Sequence, residues 1–280
     1  MKREIEVYQN NPTLSGIAGM QPAIRYSEAD EDCLLYLLAP WNAKGGKHPL
    51  ILFIQGSAWK HPNVWAEIPQ LSDYARRGYV VATAVHRSAA KGHAFPAYLQ
   101  DCKTALRFLR AHAEEYGIDP ERVCVWGTSS GGNTALLMAV TADEPKYKTG
   151  EYADFSDRAQ AVIDCFGPSD IPGFIDFSNP MVLKDDLFRG LVGDADPMRV
   201  ANDMSPLRFV RKGESYPKML LIHGDSDPVV PYEQSVLMAE ALDAAGADVT
   251  LIRVAGAEHE GSFWSGALHE RIGRFIEETL

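Results

Sequence analysis

Residues 127–132 read GTSSGG, which sets Ser129 between Gly127 and Gly131 in a G-x-S-x-G run. A serine on a tight strand-to-helix turn projects its hydroxyl above a sheet, and the residues two positions to either side must be small because the backbone packs closely there. Near neutral pH such a hydroxyl is a poor nucleophile. It needs a histidine to accept its proton and a carboxylate to hold that histidine in the right tautomer. His259, in AGAEHEGSF, follows the apolar run Val249–Val254 and precedes a helical C-terminal pattern. That puts it on a loop beyond a strand's carboxyl end, where sites of such sheets lie. Asp227, in HGDSDPVVP, falls between serine and histidine in chain order and is the expected acid. Asp225 on the same loop competes for that role, as do Asp164 and Asp170 near the preceding strand's end. The bland reading is a glycine-rich turn in which Ser130 or Asn133 only caps the next helix. His269 sits beside the apolar stripe of Leu268, Ile272, Phe275 and Ile276 and is expected to be solvated.

Acyl transfer to Ser129 would build negative charge on a carbonyl oxygen, which preorganised amides must receive. One donor is expected from the amide of Ser130. The other is expected from the turn Gln55–Trp59 (QGSAW), which follows the apolar run Leu50–Ile54.

These residues need a scaffold, and the hydrophobic pattern supplies one. Short apolar runs at Leu34–Leu38, Leu50–Ile54, Tyr79–Ala84, Val123–Trp126, Ala161–Cys165, Lys218–Ile222 and Val249–Val254 read as strands. The first is expected to pair antiparallel with Ala23–Ser27 at an edge. Segments with helical spacing lie between the runs, at Tyr98–Tyr116, Asn133–Val140, Gln234–Ala245 and Ala267–Thr279. Leu99, Cys102, Ala105, Leu106 and Leu109 share one stripe of the Tyr98–Tyr116 helix, which Gly117 closes. Strands alternating with helices predict an α/β architecture, a mostly parallel sheet with helices on both faces. No repeat or low-complexity linker interrupts residues 1–280, which read as a single domain. Within it, 141–211 holds one strand but is otherwise rich in Pro, Asp, Phe and Gly, as expected of an insertion or lid.

Composition narrows the function. The 280 residues carry 27 basic and 38 acidic side chains, a formal net charge of -11 that repels phosphate backbones and anionic lipid. No nucleic-acid partner and no membrane partner is expected. Cys33, Cys102, Cys124 and Cys165 form no Cys-x-x-Cys pair and are expected as free thiols. The N-terminal MKREIEVYQNNPTLSG lacks the apolar run of a signal peptide, so the expected location is cytoplasmic. No G-x-G-x-x-G or P-loop follows a strand, which argues against a dinucleotide enzyme, and no cofactor is expected. His223, Asp225 and Asp227 alternate on one segment with a spacing open to metal ligands, yet no H-E-x-x-H or cysteine cluster accompanies them and a His-Gly turn with a structural imidazole is the simpler account.

FIQGSAW, GIDPERVCVWGTSSGG, HGDSDPVVP and AGAEHEGSF, in that order, resemble the blocks of the α/β-hydrolase fold, and within it the BD-FAE-like esterases. This is a branch of feruloyl and acetyl carbohydrate esterases near the hormone-sensitive-lipase-like and prolyl-oligopeptidase-like enzymes. The resemblance runs from about Pro49 onward. It implies an eight-stranded-type, mostly parallel sheet, a serine esterase working through an acyl-enzyme, and no metal or other cofactor. It implies Ser129 as nucleophile, Asp227 as acid, His259 as base, and the amides of Ser57 and Ser130 as the oxyanion hole, with Gly56 or Ala58 as alternatives. Many relatives have His-Gly-Gly-Gly where this chain has Gln55-Gly56-Ser57-Ala58. Many carry Ala at position 130 and Gly after the histidine, where this chain has Ser130 and Glu260. The implied substrate is a small ester or an acylated oligosaccharide. Read from the residues alone, Trp59, Trp264, Phe174, Phe177 and Phe188 are either an aromatic platform for an acyl group or sugar, with Trp59 and Trp264 as the substrate contacts, or part of the core. Amide or peptide hydrolysis on the same triad, formamidase-like or peptidase-like, stays open. So does a non-catalytic small-molecule binding module on the same fold.

Overall fold

The structure is a computed structural model that describes residues 5–176, 179 and 181–280. Eight strands form one sheet: β1 (Ala18–Arg25), β2 (Leu34–Pro40), β3 (His48–Ile54), β4 (Val80–Ala84), β5 (Ile118–Thr128), β6 (Ala161–Cys165), β7 (Lys218–Gly224) and β8 (Val249–Val254). Their spatial order is β1-β2-β4-β3-β5-β6-β7-β8. β2 pairs antiparallel with β1 and β4, and every later pairing is parallel. The expected antiparallel edge is there, but β1 begins well before Ala23, with a register shift between Gln21 and Ile24 around Pro22, a residue that cannot donate to a ladder.

The helices are α1 (Ile68–Arg76), α2 (Ala97–Ala111), α3 (Ala113–Tyr116), α4 (Ser130–Val140), α5 (Asp186–Val192), α6 (Pro197–Asp203), α7 (Glu233–Ala245) and α8 (Gly266–Thr279). The pattern that reads as one helix over Tyr98–Tyr116 is broken at His112. Its ring nitrogen Nδ1 lies 2.8 Å from the Phe108 carbonyl, a group the next helical amide also seeks.

Alternation along the strands divides the core into two layers. Leu50, Leu52, Ile54, Val123 and Val125 face α2, α4 and α7, meeting Leu99, Leu106, Leu136, Met238 and Leu242. Ile51, Phe53, Cys124, Trp126 and Ile163 face α1 and α8, meeting Leu71, Tyr74, Ile272 and Phe275. Covered on both sides, the central strands read as unbroken apolar runs. All four cysteines are buried free thiols.

The 141–211 stretch runs through the sheet as well as over it, since β6 lies between β5 and β7. Its first part is bound to α2 by a buried ionic cluster. Asp157 takes Lys103 Nζ at 2.9 Å and an Arg107 guanidinium nitrogen at 3.2 Å, all three side chains being almost wholly buried. Among the described residues, no helix is long and apolar enough to cross a membrane.

Candidate active site

β5 ends at Thr128 and α4 starts at Ser130, so Ser129 alone makes the corner, with φ 52 and ψ -122. That is a strained conformation for a residue with a side chain. The surroundings hold it there. The Ser129 amide donates to the Cys165 carbonyl at 2.9 Å. A Cβ on Gly127 would sit 2.0 Å from the Gly131 carbonyl oxygen, and one on Gly131 would sit 2.0 Å from that of Ile54. Only glycine fits at either position.

The histidine and the acid come from the loops after β8 and β7. His259 Nε2 lies 3.0 Å from Ser129 Oγ, and His259 Nδ1 lies 2.6 Å from Asp227 Oδ2. The imidazole also packs on the Phe166 ring, with centroids 4.6 Å apart. Asp227 Oδ1 accepts the amides of Val229 at 2.7 Å and Val230 at 2.9 Å. Burial pushes the Asp227 carboxyl toward protonation, but hydrogen bonds from His223, His259 and the Val230 and Val229 amides outweigh it and hold the group far below the usual carboxylate range. His223, fully buried, brings Nε2 within 3.2 Å of Asp227 Oδ2 and 2.9 Å of the Val230 carbonyl, and Nδ1 within 2.7 Å of Ser235 Oγ. A carbonyl can only accept, so Nε2 of His223 carries a proton and its N–H supports the Asp227 carboxylate.

The turn after β3 closes the other side. The Gly56 amide donates to Thr128 Oγ1 at 2.8 Å, and the Ser57 amide donates to Ser130 Oγ at 2.9 Å. Both are thus engaged within the protein. The Ala58 amide makes no protein hydrogen bond among the described residues, and Ser130, as the first residue of α4, has no intrahelical acceptor for its own. Ala58, Trp59, Ser129 and Ser130 border a cavity of about 330 Å³ whose remaining wall is Pro168, Phe174, Ile175, Leu187, Phe188, Val229 and Val230. A larger hollow of about 510 Å³, between α1 and α8, touches none of Ser129, Asp227 and His259. The smaller cavity is the one that Ser129 borders.

Known proteins share this arrangement of elements. Residues 35–242 match the BD-FAE family. The chain belongs to the BD-FAE family. A carbohydrate esterase from gut microbiota, in a truncated form, superposes on this BD-FAE chain with a TM-score of 0.78 at 29% identity, covering 96% of this chain and 99% of that one. A thermophilic esterase of Thermogutta terrifontis, solved with butyrate bound, gives a TM-score of 0.75 at 26% identity over 95% of each chain. That esterase has also been solved phosphonylated by sarin. Esterase LipC of Mycobacterium tuberculosis is 30% identical over 230 residues, which is 78% of this chain and 54% of LipC. The chain spans about half the length of the curated relatives it matches. The fold is that of the α/β-hydrolase esterases.

Elsewhere in the BD-FAE chain the expected residues disperse. Asp225 turns away from the histidine, accepting the Gly256 amide at 2.6 Å with Arg253 at 3.6 Å. Asp164 is buried beneath the elbow, where its Oδ1 takes the Gly167 amide at 3.0 Å, and burial drives its carboxyl well up toward the neutral form. Asp170 pairs with Arg208 at 3.3 Å. Among the described residues, no three His, Cys, Asp or Glu side chains gather as a metal-ligand group.

Trp264 lies apart from the Ser129 cavity, packed on Phe166, Phe263 and His269, and its indole N–H donates to Glu260 Oε2 at 3.3 Å. His269 is not solvated as expected. It is half-buried and stacked on Trp264 at 5.2 Å and 18°, and burial lowers its pKa. The Trp126 ring lies 6.3 Å from both Trp264 and His269, so the imidazole sits between the two indoles and the helix. Phe177 lies outside the described residues. The polar contacts of His223, Thr128 and Ser130 went unread in the sequence. A buried histidine one strand-end before the acid was the available signal for the first.

Proposed function

We propose that this protein is a serine carboxylic ester hydrolase. The observation that carries the reading is the unbroken line of hydrogen bonds from Ser129 Oγ through His259 to Asp227, its serine end opening on an apolar cavity. In the reaction, Ser129 Oγ attacks the ester carbonyl carbon while His259 Nε2 takes the hydroxyl proton, and the carbonyl electron pair moves onto oxygen. Collapse of the adduct breaks the bond to the alcohol, which leaves with the proton from His259. Water then repeats the sequence on the acyl-enzyme, releasing the acid and restoring Ser129. Asp227, held ionised, fixes the imidazole tautomer and offsets the charge that builds on it. The amides of Ala58 and Ser130 are the main-chain donors for the oxyanion in this reading.

A wall of Phe174, Ile175, Leu187 and Phe188 suits an acyl group between acetyl and an aromatic acid. The gut carbohydrate esterase and the butyrate-bound esterase, as structural neighbours, support esters of sugars or of short-chain acids as the substrate class, within which acetyl or feruloyl sugar esters and small alkyl or aryl esters are the candidates. Helix α5, together with Phe174 and Ile175, acts as the lid over that acyl group. Hydrolysis of p-nitrophenyl acetate, p-nitrophenyl butyrate, methyl ferulate and acetylated xylo-oligosaccharides tests the assignment. Ser129→Ala is expected to lower kcat by roughly 10⁴ to 10⁶-fold with an unchanged melting temperature, and to abolish labelling by a fluorophosphonate. Retained labelling would overturn the choice of nucleophile.

A further inference from the structure

We infer that the side-chain hydroxyl of Ser130 is itself an oxyanion donor, standing where the Ser57 amide was expected. The inference rests on the ester-hydrolase reading and adds a catalytic group to it.

The two hydroxyls that flank the nucleophile have parallel contacts. Thr128 Oγ1 accepts the Gly56 amide at 2.8 Å, and Ser130 Oγ accepts the Ser57 amide at 2.9 Å. Together they staple the turn after β3 to the elbow. Their surroundings differ. Thr128 is buried away from the cavity, whereas Ser130 borders it next to Ser129 and Ala58.

The Ser57 N–H is used up in this contact, so it meets an oxyanion only by abandoning Ser130. The Ser130 oxygen, accepting there, keeps its own proton for another partner. Among the described residues, the Ser130 hydroxyl donates to no protein acceptor. Only 3% of Ser130 is exposed, so a hydroxyl proton without an acceptor is costly. An oxygen gaining negative charge beside Ser129 is the acceptor the geometry offers.

The arrangement strengthens the donor. A hydroxyl that accepts an amide proton is polarised as a donor in turn, because linked hydrogen bonds reinforce one another at low dielectric. Its bond to an anionic oxygen is of the short, charge-assisted kind. The oxyanion thus receives the Ala58 amide, the Ser130 amide and the Ser130 hydroxyl. The last bond strengthens as charge develops, so it acts on the transition state more than on substrate binding.

The test compares wild type, Ser130→Ala and Ser130→Thr on p-nitrophenyl acetate, with a trifluoromethyl ketone as a mimic of the tetrahedral adduct and thermal melting as a control. Ser130→Ala is expected to lower kcat by about 10²-fold, the usual loss for one oxyanion donor, to leave KM within a few-fold, and to weaken the ketone by a matching factor. Ser130→Thr, which keeps the hydroxyl, is expected to retain most of the rate. If Ser130→Ala keeps kcat within a few-fold of wild type, the freed Ser57 amide suffices and the hydroxyl role is wrong. Lost rate with unweakened ketone binding overturns it too. Should Ser130→Ala fail to fold, the wild-type ketone adduct decides in a crystal. Adduct oxygen within hydrogen-bond distance of Ser130 Oγ supports the role, and that oxygen on the Ser57 amide, with the hydroxyl turned aside, refutes it. A wild type with no ester hydrolysis removes the underlying reading and this role with it. An active wild type with an unimpaired Ser130→Ala removes the hydroxyl role alone.

Discussion

Asp227 and Asp225 stand two positions apart on one loop, and the turn that separates them decides which meets His259. Asp227 Oδ1 binds the amides of Val229 and Val230, which fixes χ1 and leaves Oδ2 for His259 Nδ1 at 2.6 Å. Asp225 is spent on the Gly256 amide and Arg253. Replacing Asp227 with Asn is therefore expected to lower kcat by about 10⁴-fold, through the wrong imidazole tautomer, and Asp225→Asn to change it little. A greater loss at Asp225 would reverse the assignment. The same contacts carry a pH signature. The folded carboxyl of Asp227 titrates below its unfolded value of roughly 3.9. Its stabilisation is present above that pH and is lost as pH falls through the folded value. The melting-temperature gap between wild type and Asp227→Asn should be widest above about pH 4 and narrow below it, and a gap independent of pH would contradict this. Chain order and loop position were enough to place Asp227, ahead of Asp225, against His259. The part played by His223 was not legible, because it depends on a turn that brings Nε2 back onto a carboxylate four residues ahead.

At the scale of elements, the elbow is a close approach of β3, β5 and α4, and its glycines differ in what a methyl group would strike. A Cβ on Gly131 meets the Ile54 carbonyl oxygen at 2.0 Å, backbone against backbone, so β3 or α4 must move. Gly131→Ala is expected to destabilise the protein by about 3 kcal/mol or more, seen as a marked fall in melting temperature. At Gly56 the nearest atom is the Ser129 Cβ, at 2.8 Å, followed by the Thr128 carbonyl oxygen at 2.9 Å. Gly56→Ala is expected to stay folded while losing at least about 10²-fold in kcat, since a displacement of under an ångström already misplaces a nucleophile. Equal effects of the two changes on stability and rate would argue against this division. The elbow was legible because its demand for small residues is local. The polar face of α2 was not, for Lys103 and Arg107 have the spacing of a solvated helix side and yet lie buried on Asp157, more than forty residues away. Likewise, whether Ser57 or Ala58 turns its amide to the cavity depends on the hydroxyl of Ser130 across the site.

Across the whole molecule, the cavity at Ser129 is assembled from regions that the sequence keeps far apart: Ala58 and Trp59 after β3, Phe174, Ile175, Leu187 and Phe188 after β6, and Val229 and Val230 after β7. Aromatic residues in 141–211 were visible in the sequence, but their convergence on one wall was not, since it requires α5 to fold back over the sheet. Asp185 caps α5 by accepting the Leu187 amide at 2.8 Å, a contact worth about 1 kcal/mol. Farther along α5, Gly190 lies so close to the turn at 89–91 that a Cβ there would sit 2.0 Å from the Ala89 carbonyl oxygen, and the Phe95 amide donates to the Leu191 carbonyl at 3.0 Å. The helix is therefore anchored by its cap and its far end as well as by Phe188, which is half-buried and packs against the core. Phe188→Ala should lengthen the cavity and favour longer acyl chains. The ratio of kcat/KM for p-nitrophenyl octanoate to that for p-nitrophenyl acetate is expected to rise by about 10-fold or more, the scale on which a few methylenes in an apolar pocket discriminate. A lower melting temperature from the lost packing should accompany it, with the cap and the far end of α5 still holding the helix. If the ratio stays where it is while the protein remains folded and active, Phe188 does not bound the acyl chain, and the ester's acyl group must lie along another wall of the cavity, against Val229 and Val230.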